Sequence, residues 1–211
     1  MEQFITNFGR ELVEVPFISE NNAVHYKLKM TGITKYCDTS PSITLNDIKL
    51  SNQTFVDGLN VTRLGPSNRV IETKSYLFAT TDTSINQGFV TYMNQLNTLT
   101  DVVLFTVSKG LKSSKVVDDW FTSAGSTAWL GADFINKFEC SYVGIFNTTD
   151  GRIVKELFLM RDGANKDPVI LETIYDDYKN LGACGYPQKF IEDSTEYSTN
   201  SEFMYKFYPT V

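Results

Sequence analysis

An α+β domain, mainly antiparallel strands flanked by helices, is what this sequence predicts, and three observations carry the prediction. Segments with alternating apolar and polar residues stand on both sides of a turn signal at Gly65-Pro66-Ser67-Asn68. Such alternation sets one face of a strand against a core and leaves the other half-buried. A stretch with helical spacing follows, with Ile85, Phe89, Tyr92, Met93 and Leu96 on one face. Then comes an unbroken apolar run, Val102-Val103-Leu104-Phe105-Thr106-Val107, which marks a strand covered on both faces.

The chain has 211 residues, which suits one domain with arms. A hydrophobic fraction of 42%, with 13% aromatic, is enough to build a core. The net charge is -6, and a surface of that sign repels phosphate, so nucleic acid is not an expected partner. Lys109, Lys112 and Lys115 are the nearest thing to a basic stripe, and they sit beside Asp118 and Asp119.

Taken in order, residues 1–22 read as an N-terminal arm. It carries the apolar clusters Phe4-Ile5 and Val13-Val15-Phe17, with a break at Pro16. Val24 to Met30 alternates as a strand, and Ile43 to Leu50 gives another, turned at Asn46-Asp47. Asp57 to Leu64 and Val70 to Phe78 form the two arms of the hairpin. Thr81 or Asp82 can cap the first helix, since a short side-chain oxygen accepts from the free N–H groups of a first turn. Ser113 or Ser114 begins a second helix through Val116, Val117, Trp120 and Phe121, ended by Gly125. Trp129 to Phe138 reads as loop or short helix. Phe138 to Phe146 and Ile153 to Leu159 alternate around a turn at Thr149-Asp150-Gly151. The domain is expected to span 23–160. Residues 161–211 form a C-terminal extension, with a short helix around Val169 to Leu181 and a tail rich in aromatics, Tyr197, Phe203, Tyr205, Phe207 and Tyr208.

Candidate chemistry is sparse. His25 is the only histidine and lies within a strand pattern, so it reads as structural. Cys37, Cys140 and Cys184 lack metal-knuckle spacing, and buried free thiols are the expectation. Adjacent carboxylates at Asp118-Asp119 and Asp176-Asp177 point apart on a helix and read as solvated charge. Gly182-Ala183-Cys184-Gly185 lacks the spacing and lysine of a phosphate loop. No catalytic residue, metal site or cofactor is expected. Sequons begin at Asn52, Asn60 and Asn147, but the N-terminus lacks the basic and apolar regions of a secretion signal. No stretch approaches the ~18 apolar residues of a membrane span. Synthesis in the cytoplasm without a signal peptide is therefore expected, which also suits a virion protein. Trp120 falls on an apolar helix face and reads as core. Trp129 follows a small-residue loop and could be core or contact surface. Tyr205 and Tyr208 could close the domain's own sheet or meet a partner.

Several segments, in this order, resemble the interleukin-like EMT inducer (ILEI, or PANDER) domain family. Ile43-Thr44-Leu45-Asn46-Asp47 is similar to that family's strand ending in an acidic turn. Asp57-Gly58-Leu59-Asn60-Val61 resembles its Arg-Gly-Leu-Asn strand, with Asp57 in place of arginine. Glu72 to Phe78 and Val102 to Val107 resemble its next two strands, and Lys109 to Lys115 stands where the family has an Asp-Asp turn. Ala124-Gly125-Ser126 resembles the segment after its second helix, and Phe138-Glu139-Cys140-Ser141-Tyr142-Val143-Gly144 a later strand. The likeness covers roughly residues 24 to 158. It implies a compact α+β domain of mainly antiparallel strands with helices at its flanks and no catalytic residue set. Members of the family act as secreted signals, as sugar-binding stems and as parts of larger surface proteins, and the resemblance extends to phage tail and fibre proteins. The expectation is a non-enzymatic structural or adaptor subunit of a larger assembly, such as a phage tail or fibre, with other protein subunits as partners. The alternative is a carbohydrate-binding module that holds a glycan on loop aromatics. Trp129, Tyr205 and Tyr208 are the candidate contact residues for either.

Overall fold

Alternating apolar residues become strands here wherever a second layer is available to cover their inward face. The computed structural model describes residues 3–8, 11–16, 25–51, 53–65, 68–96, 101–161 and 166–176. It contains eleven strands and three helices among them: β1 (Gln3–Phe8), β2 (Glu11–Pro16), β3 (His25–Gly32), β4 (Ser42–Leu45), β5 (Ile48–Lys49), β6 (Leu59–Leu64), β7 (Val70–Tyr76), α1 (Ser84–Leu96), β8 (Val102–Val107), α2 (Lys115–Ser123), α3 (Ala132–Ile135), β9 (Glu139–Asn147), β10 (Arg152–Arg161) and β11 (Val169–Asp176). β1 and β2 pair antiparallel in a two-stranded sheet of their own. The class is α+β, as the patterning predicts.

A five-stranded sheet in the order β10-β9-β8-β6-β7 forms the middle layer, and every neighbouring pair is antiparallel. A four-stranded sheet, β11-β3-β4-β5, covers one of its faces. The helices cover the other. Alternation along β8 divides its side chains between the layers: Val103, Phe105 and Val107 join the helix-side core, Val102 and Leu104 the inter-sheet core. All six residues of β8 are buried, the outcome its unbroken apolar run implies.

The Asn46-Asp47 turn is realised with both residues at positive φ, 51° and 63°. That conformation suits a tight hairpin, and Asn and Asp tolerate it better than most residues. The two sheets approach so closely at Gly32 that an added Cβ would lie 2.8 Å from the Ser141 hydroxyl oxygen. At Gly144 a Cβ would lie 2.6 Å from the Tyr142 hydroxyl oxygen, so the tyrosine ring takes the space above the glycine.

Three expectations change. The first helix begins at Ser84, and Asp82 accepts from the Val116 N–H of α2 instead (3.1 Å). On α1, Ile85 is exposed and Asn86 is buried in its stead. The Asn86 side chain bonds both backbone groups of Ala79 and the Ser114 hydroxyl, so its burial leaves nothing unpaired. The segment expected as a helix from Val169 is β11, paired with β3 along its whole length. Val169, Leu171 and Thr173 are buried at alternate positions, which is strand periodicity. β11 lies within the stretch read as the C-terminal extension.

Candidate functional site

Trp129 sits on the segment between α2 and α3, on the helix side of the middle sheet. Gly125, at a φ of 75°, ends α2 and turns the chain into it. Two carboxylates then hold the segment. Glu156, buried on β10, accepts five hydrogen bonds. Three come from the Thr127 N–H (2.6 Å), the Ala128 N–H (2.9 Å) and the Ser126 hydroxyl (2.6 Å). The others come from the Thr127 hydroxyl and from Tyr142 Oη, at 2.8 Å. Asp118 on α2 accepts from Trp129 Nε1 (2.8 Å), the Ser113 hydroxyl (2.6 Å) and the Ala132 N–H (2.7 Å). Charged acceptors with several donors make strong hydrogen bonds and fix the backbone that supplies them.

The Trp129 ring is half-buried. It stacks on Phe121 with centroids 3.8 Å apart and planes within 3°, and it meets Tyr142 edge-on at 5.3 Å. Trp120 is buried and packs edge-on against Phe89 at 5.1 Å, the core position its helix face predicts. Tyr205 and Tyr208 lie outside the described residues, as does Cys184.

α3 presents a second aromatic feature. Phe134 and Phe138, four residues apart, are both exposed and stack with centroids 6.4 Å apart. Asn136 between them anchors the turn: it accepts from the Ser113 N–H (2.9 Å) and donates to the Ser113 carbonyl (2.8 Å).

On the edge strand β7, Glu72 accepts from Tyr92 Oη (2.8 Å) and lies 3.4 Å from Arg63 Nη1. Arg63 also donates to Asp101, and Lys74 Nζ stands 3.7 Å from the Tyr92 ring centroid. Burial first, then the Glu72 hydrogen bond, push the Tyr92 hydroxyl well above its ordinary range. These groups, from β6, β7, α1 and the start of β8, are engaged with one another.

Cys37 and Cys140 are buried free thiols. Burial, helped by the nearby Glu139 and opposed by Lys112, pushes the Cys140 thiol up to about 12. A thiol that holds its proton so firmly is a poor nucleophile. Asn60, the first residue of a sequon, is fully buried, and its amide nitrogen donates to the Val56, Gly58 and Thr106 carbonyls. A glycan could not be carried there without unfolding the strand. Among the described residues, no three His, Cys, Asp or Glu side chains gather as a metal site, and no helix is long and apolar enough to cross a membrane.

Reasoning from sequence missed the two clamps. Asp118 reads as one of a solvated pair; only Asp119 is, in an exposed ion pair with Lys115. Glu156 gives one signal, a charge beside Lys155 within an apolar strand pattern, and the loop donors it holds, Ser126 to Ala128, lie 28 to 30 residues earlier in the chain.

No family model matches the chain, so its likeness to the ILEI domain rests on the motifs alone. A curated relative is similar over most of it. The long-tail fiber protein gp35 of Enterobacteria phage T4 is 29% identical over 201 residues, which cover 93% of this chain and 54% of the relative. The chain therefore spans about half the length of the curated relative it matches.

Proposed function

We propose that this chain is a non-enzymatic structural component of a phage tail fibre, working in the virion as an adaptor that contacts other fibre subunits. The observation that carries the reading is the likeness to a T4 long-tail fibre protein along 93% of the chain. The architecture supports it. Polar side chains that could otherwise perform chemistry, Glu156, Asp118, Glu72 and Asn86, are engaged in holding loops and helices. An ILEI-type domain, which brings no catalytic set with it, suits such a role.

An antibody against the chain tests the proposal by negative-stain microscopy of purified particles of the phage that encodes it. Label on the tail fibres is the expected result. Particles without the chain, with all of it left in the cell lysate, would overturn the proposal. The glycan-binding alternative has less support, because one face of the Trp129 ring lies against Phe121 and its N–H is used by Asp118.

A further inference from the structure

The outer edge of a terminal strand is a row of backbone N–H and C=O groups that another chain can pair with. β7 ends one side of the five-stranded sheet. Which of its groups are open follows from the hydrogen bonds of its neighbours. The Ser108 N–H donates to the Gly58 carbonyl (3.0 Å), so Gly58 and then Asn60 and Thr62 turn their backbone groups toward β8. Leu59, Val61 and Arg63 turn theirs toward β7, where they face Tyr76, Lys74 and Glu72. Thr73 and Ser75, the residues between, therefore direct N–H and C=O away from the sheet. Among the described residues nothing bonds those groups.

The side chains of this edge are complementary to themselves. Ile71 and Leu77 are 47% and 57% exposed toward its ends. Glu72 and Lys74 stand between them on the helix side, beside Tyr92. A lysine alone on an edge strand blocks pairing with another chain. Glutamate two residues before the lysine has the opposite effect on an antiparallel copy of the same strand. A two-fold axis through Thr73 sets Glu72 opposite Lys74 of the second copy, and Lys74 opposite its Glu72. The same axis lets the two Thr73 residues exchange both backbone hydrogen bonds. The charged pairs then fall at non-hydrogen-bonded positions, where facing side chains are closest.

Other registers lose this match. An axis through Glu72 or Lys74 sets like charges opposite each other, and one through Ser75 sets Lys74 against Tyr76. Arg69, just before β7, lies opposite Leu77 in the Thr73 register, and Arg63 is already engaged with Asp101. The flanking helix adds no repulsion: α1, packed on β7 through Phe89 and Tyr92, carries no charged residue. A strand of another protein would need glutamate and lysine at this spacing, whereas a second copy supplies them.

We propose that β7 is a self-association edge, at which two copies of the chain pair β7 to β7, antiparallel about Thr73, and join their five-stranded sheets into one. The inference goes beyond the fibre reading and does not depend on it. Seven residues a side bury less than the ~1,600 Å² of a standard interface, so the dimer should be weak, with Kd on the order of 100 µM.

Sedimentation of the full chain over a concentration series spanning that value tests the proposal. A monomer–dimer equilibrium is expected. The Thr73 and Ser75 amides should be protected from hydrogen exchange only at high concentration, and those of Glu72 and Lys74 throughout. Thr73→Pro removes an outward donor that β6 does not use and should abolish the dimer. Lys74→Glu, which changes one exposed side chain, keeps the test decisive should the proline variant fail to fold. Lys74→Glu and Glu72→Lys should each weaken self-association about tenfold or more. An equal mixture of the two, each shown to be folded by circular dichroism, should associate again, because every facing pair is then opposite in charge. A chain that stays monomeric up to about 1 mM would overturn the proposal. So would dimers untouched by Lys74→Glu or by a folded Thr73→Pro variant, or a mixture that fails to associate.

Discussion

The two faces of the middle sheet are filled by different chemistry. On the helix side the core is aromatic, with Phe89, Phe105, Trp120, Phe121, Tyr142, Phe146 and Phe158 in mutual contact. Between the two sheets the buried cluster is aliphatic apart from one methionine: Leu28, Met30, Ile43, Leu64, Leu104, Val143, Leu157 and Leu171 among them. Stacked sheets lie about 10 Å apart, a gap that branched side chains fill from both sides. Short helices and a long connecting segment leave a less even gap, which flat rings fill better. Rings carry polar handles too, so the helix face buries hydrogen-bonded groups, Tyr142 on Glu156 and Trp129 on Asp118. The inter-sheet face has fewer such options: the buried hydroxyls of Thr106 and Ser141 find no partner among the described residues.

Truncation of one side chain in each core gives the largest test of that contrast. Phe121→Ala should cost about 4 kcal/mol and Leu104→Ala about 3 kcal/mol, both read from urea midpoints. The two should differ more in tryptophan emission than in stability. Phe121 supports both indoles, at 5.1 Å from Trp120 and 3.8 Å from Trp129, whereas Leu104 belongs to the opposite face. Equal emission changes in the two variants would mean that the layers are not separate packing units.

Next in size is the clamp. Glu156→Leu leaves five donors without their acceptor and should cost about 3 kcal/mol, against about 1 kcal/mol for Tyr142→Phe, which removes one donor. Chemical unfolding of both variants checks this. A Glu156→Leu loss no larger than that of Tyr142→Phe would show that the segment before Trp129 is held by ring packing instead.

Much of the sheet was legible in the sequence because strand patterning is local. β6, β7, β8, β9 and β10 follow from alternation or from an unbroken apolar run, and the Asn46-Asp47 and Gly151 turns from residues that accept positive φ. β11 was not, because Val169 to Leu181 holds apolar residues at spacings that suit helix or strand, and only β3 decides between them. The clamps were not legible either. Asp118 and Glu156 matter through partners brought together by the fold, and the short-range spacing of carboxylates carries no trace of that. Trp129 could be placed on its segment, but the stacking on Phe121 depends on how α2 packs.

An alkaline titration sharpens the same contrast on the helix side, where Cys140 is buried. Its thiol is pushed up to about 12 in the folded chain, so the native state keeps a proton that the unfolded chain releases from about pH 9 upward. Stability from this group is complete below that pH and is lost as pH rises toward 12. By pH 10 the loss should be about 1 kcal/mol, and Cys140→Ala should flatten the slope between pH 8 and pH 10 whatever it does to absolute stability. An unchanged slope would assign the alkaline sensitivity to Tyr76 and Tyr92, whose hydroxyls burial also pushes up.

The smallest effect belongs to the inter-sheet face and runs in the opposite direction. Thr106 alternates with Phe105 and Val107, so its side chain enters the aliphatic layer with Val102 and Leu104. Its carbonyl accepts from Asn60, but its hydroxyl has no partner among the described residues. A buried hydroxyl without a hydrogen bond costs free energy that a methyl group of nearly the same shape does not. Thr106→Val should therefore stabilise the chain by up to about 1 kcal/mol, where most core substitutions destabilise. Ser141→Ala should act in the same direction and by less, because the smaller residue also gives up packing beside Gly32. If both variants are destabilised in urea, the inter-sheet layer holds polar contacts of its own, and the two faces differ in ring content alone.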